Sequence, residues 1–103
     1  MQIQTDSTRI TRIVLPLDGR PLQLLRFVRA FRAANDYAPN LRDIAKHLGT
    51  STSVVNYHIT RLERDGWLRV PRDENGAMLA HTLKLTVKAN MLLNQLERET
   101  GHV

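Results

Sequence analysis

The sequence predicts a mainly α-helical domain finished by a small β-hairpin, an α+β fold. Three observations predict it. From Leu41 to Leu68 two runs of helical apolar spacing are separated by a glycine and end on an extended run. Further helical stripes precede and follow that stretch, in Leu24, Phe27, Val28 and Phe31 and in Ala89, Leu92, Leu93 and Leu96. Between Trp67 and Leu85 two strand-like runs flank Arg72-Asp73-Glu74-Asn75-Gly76, which contains Asn-Gly, a strong hairpin signal.

Taken in order, residues 1–8 are polar, and the alternation of Ile13, Leu15 and Leu17 predicts a strand or an extended arm. That arm needs cover from the core or from a partner subunit. Asp18 stands where the first helix is capped, and Pro21 is tolerated in a first turn, where amide donors are unpaired anyway. The helix runs to about Asn35. Leu22 and Leu25 widen its apolar face, so it is expected to touch both the next helices and a second element, with Arg26, Arg29 and Arg32 as a solvated rim. Ala38 must be extended before Pro39, and a strand of one or two residues is expected there.

Asn40 caps the second helix, with Asp43 placed for a box-like start. Leu41, Ile44, Ala45 and Leu48 form its apolar face, and Gly49 ends it in a left-handed conformation. Ser51 or Thr50 caps the third helix. Val55, Ile59 and Leu62 face inward there, while Ser53, Asn56, Tyr57, Thr60 and Arg64 face out and Gly66 stops the helix. Trp67 to Pro71 and Met78 to Leu85 are the two hairpin strands. Thr86 caps a last helix whose stripe of Ala89, Leu92, Leu93 and Leu96 is backed by Val87 and Met91 on the opposite side.

Three segments, IAKHLGTS, VVNYHITRLERDGWL and LKLTVKA, together resemble the winged helix-turn-helix of bacterial and archaeal transcription regulators, such as the MarR, PadR and LexA DNA-binding domains. The resemblance runs from about Asp18 to Leu96. It divides the chain into an N-terminal arm or strand (1–17), a winged helix-turn-helix DNA-binding domain (18–85) and a C-terminal helix for dimerisation (86–103). It implies that helix 51–65 enters the major groove of double-stranded DNA and that the wing flanks it.

The residues on those surfaces suit that chemistry. Thr52, Ser53, Asn56 and Tyr57 lie outward near the start of the third helix, where Asn bonds adenine bidentately and a Tyr ring meets a thymine methyl or a phosphate. Thr60 and Arg61 follow. The helix N-terminus at Thr50 and Ser51 favours a phosphate. Arg42 and Lys46 are placed to neutralise flanking backbone, and Arg72 and Asn75 are candidates for a minor-groove contact from the wing. Arg9 and Arg12 give the arm a similar option. Asp65, Asp73 and Glu74 oppose DNA near the wing. Symmetric pairing of two copies is expected through Val87, Met91, Leu92 and Leu96.

Composition agrees with an anionic partner. The chain of 103 residues carries a net charge of +5, and of its 15 basic residues 12 are Arg. It has no Cys, so disulfide and thiolate chemistry are excluded. The start lacks the apolar core of a signal peptide, and the longest apolar run, Ile13 to Leu17, is far too short to span a bilayer. A cytoplasmic, nucleoid-associated protein without a membrane partner is therefore expected. His47, His58, His81 and His102 lack metal-ligand spacing, His58 standing at the edge of a buried face. No Ser-His-Asp arrangement and no phosphate loop are present. An enzyme is not expected, nor a metal or cofactor, and no pattern identifies an effector molecule. The expected function is a sequence-specific DNA-binding transcriptional regulator that represses. The alternatives are a winged-helix protein-interaction module, or a DNA-binding factor in plasmid or phage replication, partition or excision.

Overall fold

Residues 16–100 are described by the computed structural model. Along them lie α1 (Gly19–Asn35), α2 (Leu41–Leu48), α3 (Thr52–Arg64), β1 (Leu68–Arg69), β2 (Lys84–Leu85) and α4 (Val87–Thr100). The predicted arm up to residue 15, with Arg9 and Arg12, lies outside the described residues, as does His102.

Asp18 occupies the cap position of α1, but its side chain accepts no bond from the helix. The helix ends where Asp36, at φ 66°, turns its N–H back to Arg32 O. Leu24, Leu25 and Val28 form its fully buried face. The core-facing stripe is therefore rotated from the one predicted: Phe27 is half-buried at its margin and stacks on His47 at 4.1 Å between ring centroids.

The capping box of α2 is complete, with Asp43 N–H donating to Asn40 Oδ1 at 2.8 Å and Asn40 N–H to Asp43 Oδ2 at 3.1 Å. Gly49 closes the helix at φ 69°, a conformation cheap only for glycine. Ser51, rather than Thr50, caps α3 by accepting from Val54 N–H at 3.2 Å. Val55, Ile59 and Leu62 are buried, and α3 packs on α2, α1 and β1.

The strands are shorter than predicted. Among the described residues only Leu68 with Leu85 and Arg69 with Lys84 pair in strands, antiparallel, and beyond them a single bridge joins Arg72 and Met78. Pro71 has no N–H to give a ladder. On the return limb Thr82 Oγ1 donates to Leu79 O at 2.8 Å, and His81 adopts φ 62°, so residues 79–82 loop out of register. That loop takes the place of the strand expected at Ala38. Ala38 N–H donates to His81 O at 3.2 Å, and His81 Nδ1–H donates to Ala38 O at 2.8 Å.

Thr86 caps α4 by accepting from Ala89 N–H at 3.2 Å, while its hydroxyl donates to Gly66 O at 2.7 Å. The start of α4 is thus tied to the end of α3. Arg29 and Arg32 are not a solvated rim. Arg29 reaches Asn94 Oδ1 at 2.8 Å and Glu97 Oε2 at 2.6 Å, clamping α1 to α4, and Arg32 donates to Leu83 O at 3.1 Å. Ala89, Leu93 and Leu96 complete the core against α1 and the hairpin.

Candidate nucleic-acid interface

Burial of Val55, Ile59 and Leu62 decides which side of α3 faces water. Thr52, Ser53, Asn56, Tyr57, Thr60 and Arg61 are all exposed there, together with Ser51 at the cap, while Thr50 is half-buried. The whole predicted α3 set therefore lies on one polar face. It divides into two parts. Thr52, Ser53 and Asn56 face the wing across an open cleft of about 440 Å³, closed on the other side by Arg72, Gly76, Ala77 and Met78 and at its end by Leu41. Tyr57 and Arg61 lie on the other flank, where Arg61 Nη1 donates to Tyr57 Oη at 2.7 Å and the guanidinium sits 5.6 Å from the ring centroid. That bond presents the two side chains as one unit.

The local charges follow from the packing. Arg42 and Lys46 are exposed four residues apart on one side of α2, and neither makes an ion pair among the described residues. Arg64 is neutralised by Asp65 at 3.1 Å, and this bond, more than any other cause, lowers the Asp65 pKa. Burial, and then the charges of Arg20 and Arg61, lower the His58 pKa, which favours the neutral ring. Lys88 lies 4.1 Å from the centre of the Trp67 ring and donates to Asp65 O at 2.8 Å, holding the α3–β1 corner.

In the wing, Asp73 Oδ1 accepts from Asn75 N–H at 2.8 Å and Ala77 N–H at 3.0 Å, so Asp73 organises the tip that the Asn-Gly pair signals. Asn75 is exposed there. Arg72 is engaged, donating to Glu63 Oε1 at 2.7 Å and to Gly76 O at 3.2 Å. Nothing in local spacing announces Glu63 as its partner. The Asx turn at Asp73, by contrast, has a signal in the short polar side chain two residues before Asn75.

The candidate pairing surface on α4 is altered. Val87 and Met91 stand 76% and 65% exposed, and Leu92 is half-buried against the core. Leu96, at 9%, belongs to the core. Helical spacing placed Leu96 on one stripe with Ala89, Leu92 and Leu93, and Ala89, Leu93 and Leu96 are buried in the core.

A helix pair joined by a tight turn, its second helix polar outward and followed by a hairpin, defines a winged helix-turn-helix DNA-binding domain. The model of the LexA DNA binding domain matches residues 15–76, more than half of the chain, and the chain belongs to that family. LexA repressor 1 of Geobacter sulfurreducens is 47% identical over 54 residues, which cover 52% of this chain and 27% of the relative. LexA repressor of Geobacter metallireducens is 33% identical over 97 residues, covering 84% of this chain and 48% of the relative. The chain thus spans between about a quarter and a half of the length of these curated relatives. Among solved structures, a putative DNA-binding protein from Ralstonia eutropha superposes with a TM-score of 0.59 at 26% identity, covering 78% of this chain and 96% of that one. S. aureus MepR bound to ethidium bromide superposes with a TM-score of 0.56 at 18% identity over 82% of this chain and 62% of that one, a likeness of fold alone. No helix among the described residues is long and apolar enough to cross a membrane.

Proposed function

We propose that the chain is a sequence-specific double-stranded-DNA-binding transcriptional regulator that represses, acting on the nucleoid in the cytoplasm. One observation carries the reading: α3 presents Thr52, Ser53, Asn56, Tyr57, Thr60 and Arg61 on one exposed face with no acidic side chain before Glu63, which is paired with Arg72, and an inward face buried in the core holds the helix. A helix so mounted fits the major groove, with Asn56 placed to bond adenine and Ser53 and Thr52 to meet neighbouring base edges. Arg42, Lys46 and Arg61 meet phosphates, and a further phosphate sits at the α3 N-terminus beside Thr50 and Ser51. Asn75 reaches the flanking groove from the wing. Repression is supported by the relatives, which are named LexA repressors. A protein bound at a promoter represses by occupying it.

The test is salt dependence. The logarithm of affinity should fall linearly with the logarithm of salt concentration, by about 0.9 per phosphate neutralised, and Arg42→Ala or Lys46→Ala should each reduce the slope by about that amount. An affinity that is flat between low and physiological salt overturns the reading.

The active species in this proposal is a homodimer that pairs through Val87 and Met91, with Leu92 beneath them. Two copies double the base contacts, and their α3 helices face successive major grooves about 34–36 Å apart over a near-palindromic site. Sedimentation should find a dimer for the intact chain. The paired change of Val87→Glu and Met91→Glu should give a folded monomer, because neither side chain is needed by the core. A wild-type monomer at the concentrations used for DNA binding ends the dimer proposal.

A further inference from the structure

Arg72 looks in the sequence like a wing cation free to enter a groove of DNA. Its surroundings give it other work. Both terminal nitrogens are committed, Nη2 to Glu63 on α3 at 2.7 Å and Nη1 to the carbonyl of Gly76 across the mouth of the wing at 3.2 Å. The Arg72 and Glu63 side chains are 36% and 35% exposed, so water screens the pair in part and its geometry, more than its charge, is what ties the wing to α3. A guanidinium suits this bridge because its planar fork aims two donors at once.

The wing needs such a bridge. Its ladder stops at Arg69 and Lys84, and from there to the tip the limbs are joined to each other by the Arg72–Met78 pairing, through Leu79 N–H to Pro71 O and Asp73 N–H to Ala77 O at 2.9 Å, and by Asp73 Oδ1 at the tip. Those bonds hold the limbs to each other and not to α3, whereas the Arg72–Glu63 bond runs from the wing to that helix. The tilt of the tip against α3 sets the width of the cleft between Asn56 and Gly76, and it decides how near Asp73 and Glu74 come to a strand lying in the cleft. We infer that Arg72 is a positioning residue, a strut that through Glu63 holds the wing at a set distance from α3 and so shapes the cleft that receives one DNA backbone. The inference rests on the DNA-binding reading above, and it replaces the direct minor-groove contact that the sequence suggests for Arg72.

The sign of one substitution separates the two roles. Glu63→Gln removes a negative charge beside DNA and frees Arg72, so a DNA-contacting Arg72 predicts unchanged or tighter binding. A strut predicts weaker specific binding, by about tenfold, the scale of one charge-assisted hydrogen bond. Arg72→Ala should then weaken binding to the same degree, and the double variant no further, with the salt slope kept at its wild-type value. Arg72→Lys should also weaken it, because one ammonium cannot span both acceptors. Binding by Glu63→Gln at or above wild type, or a slope reduced by about 0.9 in Arg72→Ala, overturns the strut. The amide NMR signals of Gly76 and Ala77 in Glu63→Gln, recorded without DNA, provide a separate reading. They should shift if the strut orients the wing, and unmoved signals overturn it. Failure of the wild-type chain to bind any DNA would instead strike the functional reading and leave the amide result standing.

Discussion

Ile59→Ala should lower the unfolding free energy by about 2–5 kcal/mol, the cost of deleting three buried carbons and leaving the space unfilled. Ile59 is 1% exposed, at the centre of the inward face of α3, with Val55 and Leu62 one turn away on either side. Domains of this kind are stable by only about 5–15 kcal/mol, so the loss is a large share of the whole. Urea unfolding should show a lower midpoint with an unchanged slope. Thr60→Ala, the next residue but on the exposed face, should stay within about 0.5 kcal/mol of wild type. DNA binding by Ile59→Ala should fail at a lower temperature than wild type while its salt slope at low temperature is kept, because no phosphate contact has been removed. Equal costs for the two substitutions would refute the packing of α3 described above.

Asn56→Ala should weaken binding to the cognate site by about 1–3 kcal/mol, roughly 5- to 150-fold, and binding to random DNA far less. The side chain is exposed and faces the cleft, so its loss leaves the fold intact. Tyr57→Ala should show a compound effect. It removes a candidate base contact and also the acceptor that holds Arg61 at 2.7 Å, so some non-specific affinity goes with it. Tyr57→Phe keeps the ring and separates the two losses. Arg61→Ala should weaken specific and random binding alike and lower the salt slope by about 0.9. Competition assays with cognate and random duplexes measure all four variants. If Asn56→Ala and Tyr57→Ala leave specific binding untouched in a folded protein, α3 is not the reading helix.

Much of the fold was legible because helix signals are local. A capping box lies within four residues, so Asn40 and Asp43 declare the start of α2 without reference to the rest of the chain. Gly49, Gly66 and Thr86 mark boundaries for similar reasons, and the inward triad of Val55, Ile59 and Leu62 follows from the helical repeat. Once that triad is known, the outward set on α3 is known too. The α1 stripe shows the limit of the method. Periodicity ranked Phe27 and Phe31 with Leu24, but it cannot tell which part of a wide apolar arc meets the core and which part meets His47 and Tyr37 at its edge.

Among the described residues, the sequence by itself determined the order and approximate ends of the helices, the place of the hairpin and the polar face of α3. Each of these rests on hydrogen bonds and side-chain spacings within about four residues, which the chain encodes directly. The tertiary structure decided what the long-range neighbours do. It shortened the strands, because Pro71 and the left-handed turn at His81 break the ladder and hand His81 to Ala38. It turned Arg29 into a clamp on α4 and Arg72 into a partner of Glu63, and it drew Leu96 into the core while leaving Val87 and Met91 outside. A guanidinium on an exposed-looking face has the same local sequence signal whether it meets water, DNA or a carboxylate brought from another element. Only the packing of the elements supplies the partner.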